Sequence, residues 1–206
     1  MFALEKISKY ILMAAIFMVA VFFIVFIFLL KFQHSTPNDF ENNDFKNIDT
    51  DGQASSFGLP MRLKIPVINV DSAIEFVGTA PDGNMDTPKN PADVAWYKLG
   101  SRPGENGSAV ITGHYGTWKN GQRSVFDNLH KLNQGDKVYI EDDSGKIISF
   151  VTRESRRYDP SADAKEVFNS NDEKAHLNLI TCEGIWNKNS KSYSQRLVVF
   201  TDKEEN

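Results

Sequence analysis

QGDKVYIEDDSGKIISFVTRESRRYD, residues 134–159, decides the fold class. It reads as two strands rich in β-branched and aromatic residues, joined by the turn Asp143-Ser144-Gly145-Lys146. Similar short runs surround it. SAVITGH (108–114) is a β-branched strand ending at Gly113 and His114, HLNLITC (176–182) is another, and SQRLVVFTDK (194–203) is the last. Towards the N-terminus, MRLKIPVINV (61–70) mixes alternation with Pro66, as at the start of an edge strand. SAIEFVGTA (72–80) is a short strand closed by a Gly turn. NMDTPKNPADVAWYKL (84–99) carries two prolines and then a short apolar pattern, and predicts a loop and a helical turn. FDNLHKL (126–132) and DAKEVF (163–168) also predict helical turns. Many short strands, frequent turn signals and few helices imply a mainly β domain, a closed barrel or a sandwich.

The remainder of the chain divides around this domain. All residues from Ile11 to Leu30 are apolar, and about twenty such residues in a helix span a bilayer core of roughly 30 Å. No small-residue cleavage pattern follows, so residues 1–32 predict a cytoplasmic stub and an uncleaved transmembrane signal anchor. Lys6 and Lys9 precede the run and an acidic stretch follows Lys31, which orients the N-terminus inside and the rest outside the cell. Residues 33–58 are rich in Asn, Asp, Ser and Thr, and predict a flexible extracytoplasmic tether. Residues 59–206 are the folded domain. The formal net charge of the chain is −4, much of it in the tether, so the domain has no electrostatic case for nucleic acid.

Cys182 is the only cysteine, and a lone cysteine cannot form an internal disulfide. Taken alone it is more often a buried thiol than a nucleophile. His114 taken alone reads as a rim histidine, and Arg196 as a solvated strand charge. Together they set a thiol, an imidazole and a guanidinium each at a strand end. Thiol attack on an amide needs a proton donor for the leaving amine and a fixed cation for the oxyanion. Arg suits the last role because it stays charged and presents a rigid fork of donors. The other histidines compete poorly. His34 lies in the tether, and His130 falls inside an apolar pattern. His176 begins the cysteine's own strand, about 20 Å from Cys182 in extended chain.

At this point the motifs resemble those of the sortase family. The family's TLxTC around the nucleophile corresponds to NLITC (178–182), and its A-V-I-x-G-H to AVITGH (109–114). Arg196 follows Cys182 by fourteen positions, and LKIPVINVDSAIEFVG (63–78) is similar to the family's first strands. The resemblance covers roughly Leu59 to Lys203; Asn178, where the family often has Thr, is a departure outside the catalytic trio. It implies a closed eight-stranded β-barrel with short helices. It implies Cys182 as nucleophile, His114 as general acid/base and Arg196 as holder of substrate and oxyanion, with Thr181 a further substrate-positioning candidate. The implied partners are proteins bearing an LPxTG-like sorting signal and an amine acceptor from a peptidoglycan precursor. The resemblance lies closest to the class A, D and F branches, and FTDKEEN at the end of the chain, without an apolar run, favours protein anchoring over pilus polymerisation. No cofactor is expected. Some sortases bind calcium, and Glu75, Asp82 and Asp86 are candidates by location only, read more simply as solvated loop charges.

Two other readings have definite signatures. An L,D-transpeptidase would carry His beside Cys, and a papain-like hydrolase would carry Cys before His; LITCEG and the order His114, Cys182 match neither. A non-catalytic, membrane-tethered β-domain would keep Cys182 buried and unreactive.

Overall fold

The computed structural model describes residues 57–118 and 121–205. The strands are β1 (Pro60–Ile65), β2 (Val70–Val77), β3 (Val94–Tyr97), β4 (Gly107–Gly113), β5 (Lys137–Asp142), β6 (Ile147–Tyr158), β7 (Ala175–Asn187) and β8 (Ser192–Lys203). One short helix, α1 (Lys165–Phe168), lies in the β6–β7 connection, and single 3-10 turns cover Pro66–Ile68 and Leu129–Lys131. The eight strands close into a barrel in the order β1-β2-β3-β4-β7-β8-β6-β5. Pairings β2/β3 and β4/β7 are parallel; the others, including the closing β1/β5 pair, are antiparallel. The structure is therefore a barrel rather than a sandwich.

Alternation along each strand fills the interior. Leu177 and Leu179 on β7, Leu197 and Val199 on β8, and Val138 and Ile140 on β5 are buried inside with Trp96, Phe126 and Phe150. The opposite faces of β7 and β8 point outwards. There Val198 and Phe200 are covered by Val167 of α1, with Ile180, Phe168 and Tyr158 packed alongside.

Residues 134–159 fold as their sequence predicts. β5 and β6 pair from Lys137↔Val151 to Glu141↔Ile147, leaving 143–146 as the turn. Asp142 organises that turn. Its carboxylate accepts hydrogen bonds from the Ser144 hydroxyl (2.6 Å), the Ser144 and Lys146 N–H groups (both 2.9 Å) and the Gly58 N–H (3.3 Å). Gly145 takes the left-handed φ of 81° that closes the turn. Burial by itself would push the Asp142 carboxyl up; the hydrogen bonds outweigh it and hold the group below its ordinary range. Because its pKa is lowered on folding, its contribution is complete above about pH 4 and drains as pH falls through the lowered folded value. Asp142→Asn should therefore cost about 2 kcal/mol in urea unfolding at pH 7, and the difference from wild type should shrink under acid.

Two local expectations are corrected. Residues 94–97 are a strand, not a helical turn, because β2 and β4 supply partners on both sides of Val94, Ala95 and Trp96. Pro66 does not open an edge strand. It follows β1 and starts a 3-10 turn, where its missing N–H is not needed, in a barrel that has no edge.

Phe57, the first described residue, packs onto the domain. Its carbonyl accepts from the Arg102 Nη1, and Lys146 and Lys203 lie over its ring. Among the described residues no helix is long and apolar enough to cross a membrane. The apolar run at 11–30 and the tether as far as residue 56 lie outside the described residues.

Candidate active site

Three adjacent strands assemble the site on the outer wall at one end of the barrel. β4 and β7 run parallel in the register Ala109↔Leu177 to Thr112↔Ile180, and β7 pairs Cys182 with Arg196 of β8. β4 stops at Gly113, so the next residue, His114, leaves the strand level with Cys182. Neighbouring strands lie about 4.8 Å apart, which sets His114 and Arg196 on either side of the thiol. The Thr181 hydroxyl locks this alignment by donating to the Gly113 carbonyl at 2.8 Å. Thr181 is 2% exposed, so its hydroxyl serves the β4/β7 seam directly beneath the trio. Gly113 cannot easily be larger: a Cβ there would meet the ring of buried Phe126 at 2.5 Å.

β7 does not end at Cys182, as its sequence suggests. It continues to Asn187 through a bulge between Glu183 and Trp186, with Gly184 at φ 88°. Cys182 is nonetheless at the rim, because past Thr181 β7 has lost β4 as a neighbour and keeps only β8. The bulge is a common device for re-aiming side chains beside a site.

Each member of the trio has a defined setting. Cys182 is a half-buried free thiol. Burial pushes its pKa up, and the nearby Arg196 charge offsets this only in part. The His114 Nε2 lies 2.6 Å from the Pro88 carbonyl. A carbonyl can only accept, so Nε2 carries the proton in the neutral ring and Nδ1 is left as the basic atom. Trp118 stacks edge-on against the same imidazole at 5.2 Å. The Arg196 guanidinium donates to the carbonyls of Tyr193 and Gln195 and to the Ser192 hydroxyl. These acceptors are neutral, so they orient the fork without cancelling its charge.

Two open cavities meet at these three residues. One, of about 600 Å³, runs from Thr112, Ile180 and Thr181 along α1 and towards Met85 and Thr87. The other, of about 730 Å³, is lined by Tyr115, Trp118, Trp186 and Tyr193. His114, Cys182 and Arg196 line both. Edge-to-face contacts join Tyr115 to Tyr193 (5.2 Å) and Tyr193 to Trp186 (5.0 Å), giving the second cavity an aromatic wall. Sequence reasoning missed this wall. Its only local trace is the aromatic content of YGTW (115–118) and of the strand ends that carry Trp186 and Tyr193, segments far apart in the chain.

The other two described histidines lie elsewhere. His130 sits in a 3-10 turn, and His176 is buried between Asp172 and Asp202. The three acidic candidates for a cation are already engaged: Glu75, on β2, accepts from the Lys89 N–H, and in the loop after β2 Asp82 accepts from Asn84 and Asp86 from the Thr87 N–H. Among the described residues no group of three or more His, Cys, Asp or Glu side chains is arranged to hold a metal.

The sortase domain model matches residues 63–204, most of the chain and all of the site. The chain belongs to the sortase family. Known sortase structures share its fold. Sortase C-1 from Actinomyces oris is 23% identical with a TM-score of 0.56, over 70% of this chain and 73% of that one. A Clostridium perfringens sortase D5 transpeptidase is 23% identical with a TM-score of 0.53, over 71% and 79%. A lid mutant of sortase A from Corynebacterium diphtheriae is 20% identical with a TM-score of 0.57, over 79% and 77%. At these identities the likeness establishes the fold alone. No curated protein sequence matches this sortase.

The raised thiol pKa gives this sortase a pH signature. The folded thiol is neutral at pH 7, and its thiolate fraction grows about tenfold per pH unit until the pH reaches the raised pKa. Alkylation of Cys182 by iodoacetamide should therefore climb steadily from pH 7 through pH 9. In denaturant the same climb should level off at lower pH, nearer the ordinary thiol value. Stopped-flow or mass-spectrometric labelling rates check it.

Proposed function

We propose that this sortase is a membrane-anchored transpeptidase that cleaves an LPxTG-like sorting signal between Thr and Gly and transfers the acyl part to an amine of a cell-wall precursor. The observation that carries the reading is the position of Cys182 between His114 and Arg196, at the junction of two cavities. A two-substrate reaction needs an acyl donor and an acceptor at one sulfur. The cavity along α1 is assigned to the peptide donor and the aromatic one to the amine.

The steps follow from the chemistry of each group. The Cys182 sulfur attacks the Thr carbonyl carbon and its proton passes to His114 Nδ1. Negative charge builds on the carbonyl oxygen, within the field of the Arg196 fork. The C–N bond then breaks, and His114 gives the proton to the leaving glycine amine. The entering amine attacks the thioester, loses a proton to His114, and the restored C–N bond expels the thiolate, which regains its proton. With burial pushing the thiol's pKa up, proton removal is assigned to the attack itself rather than to a prior ion pair.

The run at 11–30 would hold enzyme, sorting-signal protein and lipid-linked acceptor at one membrane surface, which raises their effective concentration. A non-catalytic binding domain is the second reading. It requires an inaccessible thiol, whereas Cys182 lines both open cavities. To decide, full-length protein in detergent is incubated with an LPxTG peptide and a glycine-based amine, and products are read by mass spectrometry. Cleavage, an acyl adduct on Cys182 and an amine-capped product support the proposal. Absence of any adduct across a panel of sorting-type peptides, with the thiol freely labelled, overturns it.

A further inference from the structure

Asn178 departs from the family pattern and takes no part in the trio, yet its setting is specific. It lies on the outward face of β7 together with Ile180 and Cys182, because alternate residues of a strand share a face. It is 2% exposed, in a place whose other occupants, Val167, Val198 and Phe200, are apolar. Its Nδ2 donates to the Val167 carbonyl at 2.6 Å. Its Oδ1 is buried without a hydrogen-bond partner among the described residues. An apolar residue of the same shape would avoid that desolvation cost, so the amide is retained for its single bond.

That bond acts on α1. A helix of four residues has no stability of its own, and the carbonyls at its C-terminal end lack helical partners. Val167 supplies one such carbonyl. The other polar ties of α1 to the barrel, Glu166 to Arg156 and Tyr158, are exposed. Ala164, Val167 and Phe168 form a wall of the cavity beside Cys182. Asn178 and Cys182 are four residues apart on an extended strand, about 13 Å, the length of an extended tetrapeptide.

We propose that Asn178 is a positioning residue for substrate: it pins α1 to β7 and so fixes the far wall of the peptide cavity at a set distance from the nucleophile. This rests on the assignment of that cavity to the acyl donor. The consequence is specific to binding. Loosening α1 widens the cavity without moving Cys182, His114 or Arg196.

The test uses the full chain carrying Asn178→Leu, which keeps the branching of the side chain and removes the donor, with three measurements beside wild type. KM for the LPxTG peptide should rise about tenfold while kcat stays within about twofold. The alkylation rate of Cys182 should not change. Backbone amides of 164–169 should exchange with deuterium at least about tenfold faster, with β7 unaffected. If the leucine variant misfolds, Asn178→Ser, smaller and still polar, carries the same expectations. An active enzyme with unchanged KM overturns the proposal alone. A parallel fall in kcat and alkylation rate overturns it too, by making Asn178 a support of the whole fold. If wild type turns over no peptide, the donor assignment falls and the proposal with it, whatever the exchange data show.

Discussion

Cys182→Ala should abolish peptide cleavage and amine transfer together, at least about 10⁴-fold, and should leave no acyl adduct anywhere on the chain. Two physical features lead to so large an effect. The chain has no second thiol that could replace the lost nucleophile. The neighbouring hydroxyl, Thr181, is buried and donates its proton to the Gly113 carbonyl. The substitution trims one half-buried atom at the barrel rim, so the melting temperature should stay within a few degrees of wild type, about what a loss of 1 kcal/mol gives in a domain of this size. Measured turnover, mass spectrometry and calorimetry on the same sample separate loss of chemistry from loss of fold. Residual turnover above about 1% of wild type in the variant would mean that another group carries the reaction.

Arg196→Ala should give the second large effect, a fall in kcat/KM of about 10²–10³. The guanidinium lies opposite Cys182 in the β7/β8 register and is oriented by the Tyr193 and Gln195 carbonyls and the Ser192 hydroxyl. Its charge has no carboxylate in those contacts, so it is available to an oxyanion. Arg196→Lys should recover little, because one ammonium cannot reproduce a fork that is held by Ser192, Tyr193 and Gln195 while it also faces an oxyanion. Arg196→Ala should also slow Cys182 alkylation at pH 8, since the Arg196 charge is what opposes the upward push of burial on the thiol. Arg157→Ala is the control. Arg157 binds Glu183 next door through two hydrogen bonds and lines neither cavity, so its loss should leave kcat/KM within a few-fold. Equal losses at both arginines would show that general positive charge, not the fork opposite Cys182, is what matters.

The strands at 137–142 and 147–158, their Asp-Ser-Gly-Lys turn and the short helical turns near 129 and 165 follow from local chemistry. Alternation, β-branching and a turn glycine act over a few residues, so a linear reading captures them. The family motifs around His114 and Cys182 are equally local strings, and they single out these candidates before any contact is known. What escapes such a reading depends on distant partners. Residues 94–97 look helical beside two prolines, but β2 and β4 offer hydrogen bonds on both sides and draw them into a strand. Cys182 looks like a strand terminus; the strand goes on, and the rim arises from β4 stopping early.

Asn178 marks the division. From the chain alone it is a harmless departure from a pattern. In the fold it is a buried donor to a carbonyl eleven positions away, on a helix that walls the site. Local propensity and motif thus indicate most element types and the domain's β character, and they point to Cys182, His114 and Arg196 as the candidate nucleophile, base and cation. Barrel closure between β1 and β5, the parallel register that levels His114 with Cys182, and the aromatic wall of the second cavity come only from tertiary pairing. The reason is physical: a strand's conformation is encoded within it, but its partner, register and covered face are fixed by surface buried against residues tens of positions away.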